Sequence, residues 1–222
     1  MKILVIAPHP DDETLGCGGT LLKHKSMGDD IRWLIVTTIT EELGYAKEKI
    51  EEQSLRIQKV REAYEFSSIY QCNFLTTTLD TVPVSKIIQK ISSILLEVNP
   101  NIVYLPYRMD VHTDHRIIFD AASSSLKWFR CPSTKRVLAY ETLSETDMAL
   151  NPDGNAFHPN VFVDISEFLE KKIEIMKIYH LELGKFPFPR SEKAIRALAA
   201  FRGQASGLKA AEAFMLLREV IE

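Results

Sequence analysis

No stretch of this chain approaches the roughly 20 consecutive apolar residues of a membrane-spanning helix, so no span is expected. Cysteine is scarce. Cys17, Cys72 and Cys131 are odd in number, far apart and in no metal-finger spacing, which speaks against a disulfide framework and suits a reducing compartment. The opening Met1-Lys2-Ile3-Leu4-Val5-Ile6 is stopped by Pro8 and by acids from Asp11, too soon for a signal peptide; a cytoplasmic protein is expected. Charge of one sign is also lacking: the net charge is −3, with lysine and arginine scattered. That excludes a broad nucleic-acid or polybasic membrane surface, though not a local anion pocket. There is no fixed-period repeat and no low-complexity segment.

What remains is ordinary globular composition, 45% apolar and 26% charged over 222 residues. A chain of this length can bury roughly 70% of its unfolded surface as one domain, here 1–222. Residues 3–7, 31–39, 69–75 and 102–105 read as strands, the first a continuous apolar run of the kind buried on both faces of a parallel sheet. Helices are expected over 14–27, 46–66, 84–98 and 115–128. The third has the cleanest 3.6-residue period, through Val84, Ile87, Ile88, Ile91, Ile94, Leu95 and Val98, and Asn99-Pro100 stops it. Later strands fall at 136–141 and 161–165, followed by helices at 166–180, 191–202 and 208–221. Residues 151–155 and 186–190 read as loops within the domain. Strand and helix alternate through the first 130 residues, so the fold class is α/β: a doubly wound, Rossmann-like three-layer fold with a mostly parallel sheet.

Two loops carry the chemistry. His9-Pro10-Asp11-Asp12-Glu13 follows the first strand, and Asp110-Val111-His112-Thr113-Asp114-His115 follows the fourth. Carboxyl ends of strands are where α/β sheets build sites. His9 and Asp12, three apart in a proline-containing turn, can reach one point, and imidazole plus carboxylate is a zinc ligand set that iron, manganese or cobalt also accept. His112 and His115 share that spacing, and one of them would complete a three-ligand site with an open position, as catalytic zinc requires. Thr113 or Asp114 can cap the following helix. Asp11 is then free to move a proton, and the histidine left over, held by Asp114, to stabilise an oxyanion when protonated. Either loop alone could be a solvated turn; both together, each after a buried strand, point to metal-assisted amide or ester hydrolysis.

With these residues in view, the sequence resembles the LmbE/PIG-L-like de-N-acetylases, whose hallmarks are an H-P-D-D-E run after the first strand and an H-x-D-H run after a later one. The C-terminal Arg202-Gly203 and Gly207-Leu208-Lys209-Ala210-Ala211-Glu212-Ala213-Phe214 match as well, so the resemblance covers most of the chain. It implies zinc held by His9, Asp12 and His115, with iron or another divalent metal as substitutes, Asp11 as general base, His112 as oxyanion-stabilising acid, and Asp114 orienting His112. It further implies substrate contacts from an arginine in the second helix and an aspartate after the third strand, for which Arg56 and Asp80 are the matches and Arg61 competes with Arg56. Thr113 replaces a proline common among relatives. The Phe186-Pro187-Phe188-Pro189-Arg190 run departs from the family's deacetylases of mycothiol and bacillithiol synthesis and better suits relatives acting in surface-polysaccharide or nucleotide-sugar pathways.

The expected function is removal of acetyl from an N-acetylated amino sugar, a small-molecule substrate, with no nucleic-acid partner; self-association into a homo-oligomer stays open. A hydrolase of another amide or ester, or a sugar- or nucleotide-binding module without turnover, are the rivals. His24 and His158 read as surface residues, His180 as a capping or half-buried one, and Cys17 as a packing residue. Gly16, Gly18 and Gly19 lack dinucleotide-fingerprint spacing. Arg108, Arg116, Lys185, Arg190 and Arg202 could contribute an anion site for a phosphorylated aglycone, although lone cations of this kind are usually solvated.

Overall fold

Ile3 to Ala7 have no polar side chain to offer water, and the chain buries all of them at the centre of a seven-stranded sheet. The computed structural model describes residues 1–150 and 156–221; the expected loop at 151–155 lies outside the described residues. The elements run β1 (Lys2–Ala7), α1 (Asp12–Ser26), β2 (Asp30–Thr38), α2 (Lys47–Tyr64), β3 (Ser68–Leu75), α3 (Val84–Val98), β4 (Ile102–Pro106), α4 (Thr113–Ser125), β5 (Arg136–Tyr140), β6 (Val161–Asp164), α5 (Leu169–Met176), α6 (Glu192–Gln204) and β7 (Ala211–Glu219).

Strand order is β3-β2-β1-β4-β5-β7-β6. The first five are parallel, with Ile3 facing Ile31 on β2 and Ile102 on β4. Strand order therefore reverses at β1, whose carboxyl end lies beside that of β4. One face of the sheet, with Trp33, Tyr104, Tyr140 and Phe214, packs under α1, α2 and α5. The other, with Leu4, Ile6, Leu34, Val103 and Leu105, packs under α3 and α4. This is the three-layer α/β architecture expected, and α3 spans the expected residues.

Glycines let α1 sit close to the sheet. A Cβ on Gly16 would lie 2.2 Å from the Tyr140 ring, and one on Gly19 would lie 2.6 Å from Ile165. The glycines thus serve packing, not phosphate binding, and Cys17 is a buried packing residue beside them.

One element differs in kind. The helix expected over 208–221 is instead β7, antiparallel to both β5 and β6. Its Ala-, Glu- and Leu-rich sequence favours a helix locally. Tertiary context overrides that preference, because the segment fills the gap between β5 and β6 and buries Ala211, Ala213 and Phe214. The two surface histidine assignments divide: His158 is exposed, whereas His24 is buried between Asp29, 2.7 Å from its Nδ1, and the Tyr104 hydroxyl, 2.9 Å from its Nε2. His180 caps the 3-10 turn Lys177–Tyr179 and is exposed rather than half-buried.

Candidate active site

The turn after β1 is tight: the Asp12 amide reaches the His9 carbonyl at 3.4 Å, and the His9 amide donates to Asp12 Oδ2 at 2.9 Å. Asp11, between them, takes a φ of 131°, a strained value for a residue with a Cβ. Its amide donates to Glu13 Oε2 at 3.0 Å, which anchors the strained peptide. Glu13 is fully buried, and its Oε1 accepts from the Thr14 hydroxyl at 2.6 Å and the Tyr179 hydroxyl at 2.9 Å. Burial pushes the Glu13 carboxyl up to about 7 against these hydrogen bonds.

The loop after β4 delivers its histidines differently. His112, not Thr113 or Asp114, caps α4: its Nδ1 accepts from the Asp114 amide at 3.1 Å. An accepting Nδ1 places the ring proton on Nε2, so His112 is arranged as a neutral N–H donor. Burial, followed by charge on His9 and His115, holds its pKa down at about 4. The Asp114 carboxylate does not reach His112. It accepts from the Thr77 amide at 2.8 Å and lies 3.1 Å from His9 Nε2, so it is His9 that this carboxylate orients. The reason is the cap itself, which presents the backbone of Asp114 to His112 and turns its side chain toward β1.

His115 is fully buried. Its Nδ1 is 2.7 Å from Asp110 Oδ2, and Asp110 in turn accepts from the Thr146 hydroxyl at 2.6 Å. That leaves Nε2 3.3 Å from Asp12 Oδ2 without a hydrogen bond. A buried ring nitrogen without a hydrogen bond, its opposite nitrogen held by a carboxylate, is the arrangement of a metal ligand. Ligand atoms of His9, Asp12 and His115 lie within 4.8 Å of one another, and so do those of His9, His112 and Asp114. The residues present therefore fit a divalent metal.

Electrostatics agree. Burial works against charge on both histidines, yet Asp114 and Asp12 hold His9 up at about 9, and Asp12 with Asp110 hold His115 up at about 10. Asp12 is held well below the usual carboxylate range, because His115 and His9 outweigh its burial. Burial and the Asp12 charge push Asp11 up, against the pull of Arg190.

Above the cluster opens a cavity. His9, Asp11 and His112 face it from the two loops, Thr38 from the end of β2, Ile39 and Tyr45 from the segment after it, and Glu145, Glu182 and Arg190 from the far side. The polar segment after β2 thus overhangs the site through Ile39 and Tyr45. Arg56 and Asp80 do not line this cavity. Arg56 faces a separate groove with Glu52 and His180, because the turn of α2 directs Gln53 inward in its place. Asp80 sits exposed in a short 3-10 turn, with Thr76 taking the inward position. Arg61 faces a third groove with Gln58.

Three residues of the site had no role in the sequence reading. Asp110 and Glu13 stood inside the two motifs without one, and a carboxylate five residues ahead of a ligand histidine was the available signal for Asp110. Arg190, weighed in the sequence only as an anion-site or solvated cation, lies at the cavity with its Nη1 2.8 Å from Asp11 Oδ2. Nothing local in the sequence announces a contact across 179 positions.

Residues 4–126 match the family described as PIG-L: GlcNAc-PI de-N-acetylase. Diacetylchitobiose deacetylase of Thermococcus kodakarensis is 25% identical over 220 residues, 95% of this chain and 81% of that protein. The probable N-acetyl-alpha-D-glucosaminyl L-malate deacetylase 2 of Bacillus cereus is 25% identical over 77% of this chain and 79% of its own length. Among solved structures, the N,N'-diacetylchitobiose deacetylase of Pyrococcus horikoshii superposes with a TM-score of 0.79 at 23% identity, covering 98% of this chain and 84% of that one, and attests the fold. The family match spans more than half of the sequence and contains both the His9–Glu13 and Asp110–His115 loops: the chain belongs to the PIG-L family of de-N-acetylases.

Proposed function

We propose that this protein hydrolyses the acetamide of an N-acetylated amino sugar, using one divalent metal held by His9, Asp12 and His115 in a single domain. The observation that carries the reading is the buried, unbonded Nε2 of His115 facing Asp12 and His9 beneath an open cavity. Nitrogen and oxygen ligands of this kind suit zinc, with iron as the nearest substitute. When bound, such a metal supplies a Lewis acid that polarises a carbonyl and lowers the pKa of water.

The chain's own groups do the rest. Asp11, beside the ligands but not among them, takes the proton of the attacking water and returns it to the nitrogen as the C–N bond breaks, leaving acetate and a free amine. His112 donates its Nε2–H to the carbonyl oxygen as negative charge builds there, a hydrogen bond worth most when charge has developed. Asp110 and Asp114 act through the histidines they hold. Thr38, Ile39 and Tyr45 border the opening where the rest of the sugar would lie. The three cysteines are free buried thiols, which fits a reducing compartment such as the cytoplasm.

Acetate release from N-acetylglucosamine, N,N'-diacetylchitobiose, N-acetylglucosamine 1-phosphate and simple acetamides or acetate esters tests the substrate class. The sugars are expected to turn over and the simple compounds to lag by orders of magnitude. Equal rates on simple acetamides or esters would replace the sugar reading with a general hydrolase.

A further inference from the structure

Arg190 ends the Phe186-Pro187-Phe188-Pro189-Arg190 run, a segment that the proposed reaction leaves without a task. Its side chain is only 17% exposed although it borders the cavity. All three guanidinium nitrogens are engaged. Nη1 lies 2.8 Å from Asp11 Oδ2 and 3.3 Å from Glu182 Oε2, Nη2 lies 3.0 Å from Glu145 Oε1, and Nε donates to the Ser144 hydroxyl at 2.8 Å. A planar guanidinium fixed at every nitrogen is a rigid reference point rather than a mobile cation. With three carboxylates around it, it has little left to offer an anionic substrate.

Asp11 is held at two places. Glu13 takes its backbone N–H, and Arg190 takes one carboxylate oxygen. The second oxygen, Oδ1, accepts no hydrogen bond from the described residues. A carboxylate on its own rotates broadly about its last torsion, and a misplacement of about 1 Å at a reacting group costs on the order of a hundredfold in rate.

We propose that Arg190 is a positioning residue: by fixing Asp11 Oδ2 it presents Oδ1 to the proton being transferred, so the loop at 186–190 sets the geometry of the base. Glu145 and Ser144 hold the guanidinium from behind. The same turn supplies Thr146 to Asp110, so the segment at 144–146 braces Asp11 through Arg190 and His115 through Asp110. The inference rests on the reading of Asp11 as the base.

Steady-state kinetics of acetate release, with metal content and thermal melting, decide it for wild type, Arg190→Gln, Arg190→Lys, Asp11→Asn and the Asp11→Asn/Arg190→Gln double variant. Arg190→Gln is expected to lose about a hundredfold in kcat, with KM within about twofold and bound metal unchanged. Arg190→Lys should recover part of the loss. In the Asp11→Asn background, Arg190→Gln should cost nothing further, because a group acting only through Asp11 is not additive with it. An unchanged kcat in Arg190→Gln overturns the proposal. So does a raised KM with kcat kept, which would make Arg190 a substrate contact, or an equal loss in the Asp11→Asn background, which would make its role general. Near-normal turnover by Asp11→Asn alone would overturn the base assignment itself.

Discussion

Asp110 and Asp114 show how single carboxylates set the state of a histidine. In the metal-free protein His9 and His115 hold their protons to about 9 and about 10, because the acids beside them outweigh burial. Both folded-state values lie above the unfolded value near 6.5. Their contribution to stability is therefore complete below about pH 6.5 and is lost as pH rises through 9 and 10. Metal binding has the opposite sign, since each ligand histidine must give up its proton. Metal affinity is expected to climb steadily from pH 6 to about pH 9, with protons released on binding. Isothermal titration in buffers of different ionisation enthalpy measures that release; pH-independent affinity would contradict it. Asp110→Ala, which frees the His115 ring, should weaken metal binding by about 10- to 100-fold, as read by competition with a chelator. At this scale the clustering of His9, Asp12, His112 and His115 was legible in the sequence because His9 and Asp12, and likewise His112 and His115, sit three residues apart within one turn. Arg190 was not legible, because its partner Asp11 is brought to it only by the folded chain.

Strands and helices were legible where local pattern and tertiary demand coincide. The period of α3 buries Ile87, Ile91, Ile94, Leu95 and Val98 on one side, as its sequence requires. Strand β7 went the other way, because helix-forming residues were enlisted by open sheet edges that no local window can see. What fixes it there is partly electrostatic. Glu212 Oε1 accepts from the Gly19 amide at 2.8 Å and from Lys172 Nζ at 2.7 Å, and Oε2 accepts from the Thr20 amide at 2.7 Å. Lys172 also donates to the Leu15 carbonyl at 2.8 Å. The buried pair thus ties β7 and α5 to α1, the helix that begins at Asp12. Removing one partner leaves a buried charge unpaired, so Glu212→Leu is expected to destabilise the fold by about 3–5 kcal/mol. Urea unfolding measures the change in midpoint, and a loss below 1 kcal/mol would show that the pair contributes little.

Across the whole molecule, the site lies where the sheet's strand order reverses. Strands to one side of β1 run β2 then β3, and to the other side β4 then β5. The connections leaving β1 and β4 therefore part in opposite directions, and the crevice between them receives both histidine-bearing loops. The alternation of strand and helix in the first 130 residues makes this arrangement readable from sequence. The far wall of the cavity, with Glu145, Glu182 and Arg190, comes from chain beyond that alternation and carries no comparable pattern. The central claim is that the two loops hold one catalytic metal. Titrating zinc into chelator-stripped protein while following acetate release from N,N'-diacetylchitobiose tests it most directly. Activity should rise linearly to a break at one equivalent per chain, and His115→Ala should show neither the break nor the activity. Full acetate release by the stripped protein, or an unaltered break in His115→Ala, would contradict it.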